Sequence, residues 1–124
     1  MQSWGLHFIC DGFTTDIVKI KDKENIANFV KQLVVDIDMV AFGDLWIERF
    51  ATHDEEKAGI SFCQMIETSN ITGHFCETNG DFYIDVFSCK DFDISKTIGL
   101  IKSYFNANYK DLKVQILPRQ APRH

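Results

Sequence analysis

Between residues 23 and 38 the apolar side chains Ile26, Phe29, Val30, Leu33, Val34 and Ile37 recur at offsets 0, 3, 4, 7, 8 and 11. That is one stripe at a helical period, so the spacing predicts an amphipathic helix. A second stripe, Ile94, Ile98, Ile101 and Phe105, predicts a helix over 94–104, with Asp93 placed to cap it. Elsewhere the period is two. Residues 81–89 alternate Phe82, Ile84 and Val86 with Asp81, Tyr83, Asp85, Phe87 and Cys89, which predicts a strand with one apolar face. Further strands are expected over 6–10, 45–52, 59–67, 71–76 and 112–117, the last ended by Pro118. Residues 53–57 read as a polar turn, and Asn79-Gly80 as a hairpin turn entering the 81–89 strand.

The resulting order is β-α-β-β-β-β-α-β. It predicts an α+β fold: a two-layer sandwich with a largely antiparallel sheet and two helices on one face. Residues 1–117 form a single domain on this reading, and 118–124, rich in Pro and Arg, a flexible tail. The opposite sheet face then needs a cover, which a homodimer would supply.

Composition narrows the classes of function. The chain has 124 residues and a formal net charge of −5, with its basic residues scattered. That argues against a nucleic-acid partner, which would call for clustered positive charge. No apolar run is long enough to span a bilayer, so no membrane partner is expected. Residues 1–10 lack the basic-then-apolar pattern of a secretory signal, which leads to a cytoplasmic location. The four cysteines, at 10, 63, 76 and 89, include no CxxC pair and match no zinc spacing, so free thiols and no metal are expected. Asn70-Ile71-Thr72, a glycosylation sequon, is incidental in that setting. Eleven phenylalanines are enough to build a core and leave some for stacking a flat ligand.

The chemistry concentrates in residues 67–89. Ser69 is followed five residues later by His74, and Cys89 lies a further fifteen along. Nucleophile, base and acid types thus fall in one stretch. Spacing alone leaves two readings open. These residues are reactive partners, or they are a turn serine, a hydrogen-bonded strand histidine and a small core thiol.

The same stretch resembles the processing region of the short bacterial and archaeal S-adenosylmethionine decarboxylases. In that family the cleavage-site Ser is followed by a His five residues on, then a Gly, then an Asp-Val-Phe-(Thr or Ser)-Cys strand. Ser69, His74, Gly80 and Asp85-Val86-Phe87-Ser88-Cys89 stand at those spacings. His7 after Gly5-Leu6 resembles the family's opening Gly-x-His strand, and Ser61 stands where the family has a Ser that assists processing.

The resemblance implies a proenzyme that cuts itself between Thr68 and Ser69 into a β-chain, 1–68, and an α-chain, 69–124. It implies that Ser69 becomes a pyruvoyl cofactor, that His74 removes the Ser69 α-proton, and that Cys89 protonates the substrate. The small-molecule substrate would be S-adenosylmethionine, decarboxylated for spermidine synthesis. Phe8, Phe50, Phe75 and Tyr83 are candidates for holding its adenine and sulfonium, and Asp85 is the best placed of the nearby acids. Two positions depart from the family pattern. Thr68 stands where the family has Glu, and Phe75-Cys76-Glu77-Thr78-Asn79 replaces a Trp-Pro-Glu run. The resemblance implies that the second departure falls on a loop that could touch the substrate. It leaves open a pyruvoyl decarboxylase of another amino acid, such as ornithine or arginine, and a non-processing relative that binds a ligand or regulates a paralogue.

Overall fold

The computed structural model describes residues 3–123. It contains strands β1 (Gly5–Phe13), β2 (Trp46–Phe50), β3 (Gly59–Ile66), β4 (Ser69–Phe75), β5 (Asp81–Ser88) and β6 (Lys113–Arg119), and helices α1 (Ile17–Lys21), α2 (Lys23–Asp36) and α3 (Ile94–Phe105). The strands form one six-stranded sheet in the order β2-β3-β4-β5-β1-β6. Every neighbouring pair is antiparallel.

The helices begin where the sequence offers side-chain caps. Asp22 accepts from the Glu24 and Asn25 N–H groups at the start of α2, and Asp93 accepts from the Lys96 N–H at the start of α3. The α2 stripe buries Ile26, Phe29, Val30, Leu33 and Val34. On α3, Ile101 and Phe105 are fully buried while Ile94 and Ile98 pack at the margin of the core. Phe29 and Phe105 meet at 4.8 Å between ring centroids, and Phe105 reaches Phe75 at 4.9 Å and Phe82 at 5.6 Å. Helices and sheet are thus joined through one aromatic cluster, where edge-on and tilted rings pack best.

β5 alternates as its sequence predicts. Phe82, Ile84, Val86 and Ser88 face the helices and are fully buried. Asp81, Tyr83, Asp85 and Phe87 face outward, and Cys89 follows the strand in an exposed position. The outer face also exposes Phe13, Trp46, Phe50 and Met65.

Three expectations need correction. The helix α1 has only five residues and a single fully buried one, Ile20, too little to form a stripe in the sequence. β1 and β6 are longer than expected, and β2 is shorter. Pro118 does not end the last strand but pairs with Leu6 inside it, with Arg119 opposite Gly5. β6 is an edge strand, and at an edge every second N–H points away from the sheet, so a residue without one is tolerated. Residues 118 and 119 therefore belong to the sheet and not to a tail. The Arg119 guanidinium lies 4.8 Å from the centroid of the Phe87 ring.

Gly80 shows why the Asn79-Gly80 signal works. It holds φ at +86°, and a Cβ there would lie 2.1 Å from the Thr14 carbonyl oxygen. Asn79 Oδ1 accepts from the Asp81 N–H at 2.9 Å and completes the turn.

Candidate active site

The β3–β4 hairpin turns through two residues, Glu67 and Thr68, with Ile66 paired to Ser69. Ser69 opens β4 with φ at +151°, a region that residues with a Cβ rarely adopt. The next strand brings Cys89 alongside. Ser69 pairs with Ser88, and the Cys89 N–H donates to the Thr68 carbonyl oxygen at 2.9 Å. On the other side of β5, Gly5 lets β1 lie close to this end of the strand, since a Cβ there would lie 2.2 Å from the Ser88 carbonyl oxygen and 2.7 Å from the Cys89 Cα. The peptide bond between Thr68 and Ser69 therefore has a hydroxyl on one side and an N–H donor aimed at its carbonyl.

A second group forms on the outer face. Ser61 on β3 pairs with His74 on β4, and Ser61 Oγ lies 2.5 Å from His74 Nδ1. His74 Nε2 lies 2.7 Å from the Lys57 carbonyl oxygen. A carbonyl only accepts, so Nε2 carries a proton, and in the singly protonated ring Nδ1 is then the acceptor for the Ser61 hydroxyl. The pair opens into a cavity of about 560 Å³ lined by Phe50, Lys57, Asp81 and Tyr83 among others. Arg49 donates to both carboxylate oxygens of Glu77 beside it, and this holds the Glu77 carboxyl below the usual carboxylate range. Thr78 Oγ1 donates to the Glu55 carbonyl oxygen at 2.7 Å, tying the 75–79 loop to the 51–58 segment.

Asp85 lies on the same outer face, with its carboxylate 3.9 Å from His7 Nε2. Desolvation pushes its pKa up, and the nearby His7 offsets this in part. Burial drives the Cys10 thiol up to about 12, with Asp11 adding to the effect, so Cys10 is a neutral core thiol.

The sequence-predicted residues thus fall into two groups. Ser69, Thr68 and Cys89 come together at one end of the sheet, and Ser61 and His74 come together on its outer face. Within one chain His74 does not reach Ser69. Five residue steps along β4 separate them, about 16 Å at the rise of a strand. Phe50 and Tyr83 stand at the cavity, half exposed. Phe8 and Phe75 are fully buried in the core and present no face to a ligand, so those two candidates are corrected. The inward-facing parity of both residues in their strands, visible in the alternation, is the physical reason.

Sequence reasoning missed three participants. Two are backbone groups, the Cys89 N–H and the Lys57 carbonyl, which no side-chain pattern reveals. The third is Ser88, whose buried hydroxyl accepts from the Lys90 N–H at 3.0 Å and donates to Thr68 Oγ1 at 2.8 Å. A hydroxyl on the apolar face of an otherwise hydrophobic strand was the available signal.

Comparison with known proteins bears on this geometry. The crystal structure of the adenosylmethionine decarboxylase from Aquifex aeolicus superposes with a TM-score of 0.77, covering 98% of this chain and 94% of that one at 22% identity. At that identity the likeness establishes the α+β fold. No curated protein matches the sequence. The profile of the S-adenosylmethionine decarboxylase family matches residues 6–120, nearly the whole chain and all of the elements that carry the two groups described above. The chain belongs to the S-adenosylmethionine decarboxylase family and is a decarboxylase.

Proposed function

We propose that this chain is made as a proenzyme, cuts itself between Thr68 and Ser69, and then decarboxylates S-adenosylmethionine for spermidine synthesis. We further propose that it works as a homodimer in which Ser69 and Cys89 of one copy face Ser61 and His74 of the other. The observation that carries the reading is the Thr68 carbonyl, which accepts from the Cys89 N–H beside the Ser69 hydroxyl.

Self-cleavage begins with attack of Ser69 Oγ on the Thr68 carbonyl carbon. Negative charge then develops on the Thr68 oxygen, where the Cys89 N–H already points. One such donor contributes about 3 kcal/mol in acyl-transfer enzymes. Collapse breaks the C–N bond, leaving residue 68 esterified to Ser69 and freeing the Ser69 amine. The unusual φ of Ser69 favours this step, because a backbone held in a sparsely populated region costs about 1–3 kcal/mol that bond cleavage releases.

Removal of the Ser69 α-proton then expels the residue-68 carboxylate by β-elimination. His74 suits that task by residue type, since the Lys57 carbonyl holds a proton on Nε2 and makes Nδ1 the basic nitrogen of the singly protonated ring. The remaining dehydroalanine takes up water and releases ammonia, leaving a pyruvoyl group at residue 69. That group supplies an electron sink for loss of carbon dioxide, as pyridoxal phosphate does elsewhere.

The chain's own residues do the rest. The Cys89 thiol, exposed and adjacent to residue 69, is placed to return a proton to the substrate Cα. Phe50 and Tyr83 offer aromatic faces suited to an adenine and a sulfonium. The separation of His74 from Ser69 within one chain supports the two-copy arrangement, as does the apolar outer face carrying Phe13, Trp46, Phe50 and Met65.

The test is the mass of the purified, denatured protein, with Ser69→Ala alongside. Two fragments divided between residues 68 and 69 in the native sequence, and none in the variant, are expected. Carbon dioxide release from carboxyl-labelled S-adenosylmethionine should follow the cut fraction. An intact chain in both samples would sink the proposal.

A further inference from the structure

We infer that the Ser88 hydroxyl is a positioning residue for self-cleavage, fixing residue 68 so that its carbonyl meets the Cys89 N–H. The inference rests on the self-cleavage reading above and deepens it. Ser88 ends β5 on the inward-facing side, where the preceding positions of that parity are Phe82, Ile84 and Val86. All four are fully buried. Packing alone asks for another apolar side chain there, and a buried hydroxyl is unfavourable unless its hydrogen bonds are met.

Those bonds run toward the reacting peptide. The Lys90 N–H, just beyond Cys89, donates to Ser88 Oγ at 3.0 Å. Ser88 Oγ donates to Thr68 Oγ1 at 2.8 Å, and Thr68 Oγ1 donates to Met39 Sδ at 3.2 Å. Met39 Sδ also lies 3.8 Å from Ser88 Oγ, but the shorter contact to Thr68 Oγ1 is the stronger one for its single proton.

Residue 68 is thereby held at two points, the side chain by Ser88 and the carbonyl by Cys89 N–H. With the side-chain tether removed, the ladder pairing of Ser69 and the Cys89 N–H alone hold the Thr68 carbonyl, and its alignment with that donor loosens. Thr68 thus acts through its hydroxyl, and its β-branched shape limits the rotamers from which that hydroxyl can reach Ser88.

The experiment follows self-cleavage of freshly refolded precursor by intact mass, in the native sequence and in Ser88→Ala, Ser88→Thr, Thr68→Val, the Ser88→Ala/Thr68→Val double variant and Ser69→Ala. Loss of the tether should slow cutting by about tenfold in Ser88→Ala and in Thr68→Val. The double variant should be no slower than the slower single one, because both remove the same bond. Ser88→Thr, which keeps the hydroxyl, should restore the rate. Melting temperatures check that each variant folds, and Thr68→Val, at a surface turn, carries the test if Ser88→Ala does not.

Native-rate cutting in Ser88→Ala or Thr68→Val overturns the inference while the self-cleavage reading stands. So do multiplicative effects in the double variant, or a Ser88→Thr as slow as Ser88→Ala. A native chain that never cuts removes both.

Discussion

Cys89 contributes two different groups to the site. Its backbone N–H meets the Thr68 carbonyl, while the residue itself is exposed and its thiol open to a substrate. A side-chain substitution removes one group and leaves the other. Cys89→Ala should therefore cut itself at close to the native rate, yet decarboxylate at least about a hundredfold more slowly, the scale of a lost general acid. Intact mass and labelled carbon dioxide release report the two steps separately. Equal losses in both would tie the thiol to processing as well.

Asp85 gives a pH test at the same scale. Desolvation raises its folded-state pKa, with His7 lowering it in part. Between its unfolded and folded pKa values the folded state holds more protons, so stability falls as pH rises through that window. Above that window the carboxylate is charged and incompletely solvated. Asp85→Asn should raise the melting temperature at pH 7 and lose that advantage under acid conditions, where the native carboxyl is also neutral. Glu77 has the opposite sign. The hydrogen bonds from Arg49 depress its pKa, so its contribution is present above the unfolded pKa and is lost as pH falls through the folded one.

At the scale of elements, the aromatic cluster under α3 holds helix and sheet together. Phe105 touches Phe29, Phe75 and Phe82, so Phe105→Ala should cost about 3–5 kcal/mol in denaturant unfolding. A loss under about 1 kcal/mol would mean the cluster rearranges to fill the space. Elements with strong periodicity were readable from the chain. The α2 stripe and the β5 alternation each specify a face, and both faces are oriented as their spacing requires. α1 was not readable, because five residues with one buried side chain leave no period to detect. The continuation of β6 through Pro118 was hidden for another reason, since only tertiary structure makes β6 an edge. The site was legible as residue types, Ser69, His74, Cys89 and Ser61, but its geometry was not. A spacing of five along a strand reads as proximity, whereas an extended chain turns it into distance.

The whole molecule poses the question that this distance raises. One chain holds Ser69 beside the Thr68 carbonyl and its Cys89 N–H donor at the sheet end, and His74 with Ser61 on the outer face. The half-exposed rings of Trp46, Phe50 and Tyr83 lie on that outer face. In the proposed homodimer, packed through that face, each reaction centre would take its parts from two chains, and neither copy would be complete alone. The most direct test pairs two inactive chains, Ser69→Ala and His74→Ala, carrying different tags and refolded together. Each alone should stay uncut. In the mixture the His74→Ala chain should be cut between residues 68 and 69, because its Ser69 is served by the His74 of its partner, while the Ser69→Ala chain stays whole. Mixed dimers in which the His74→Ala chain remains intact, or a His74→Ala chain that cuts itself without help, would contradict the account.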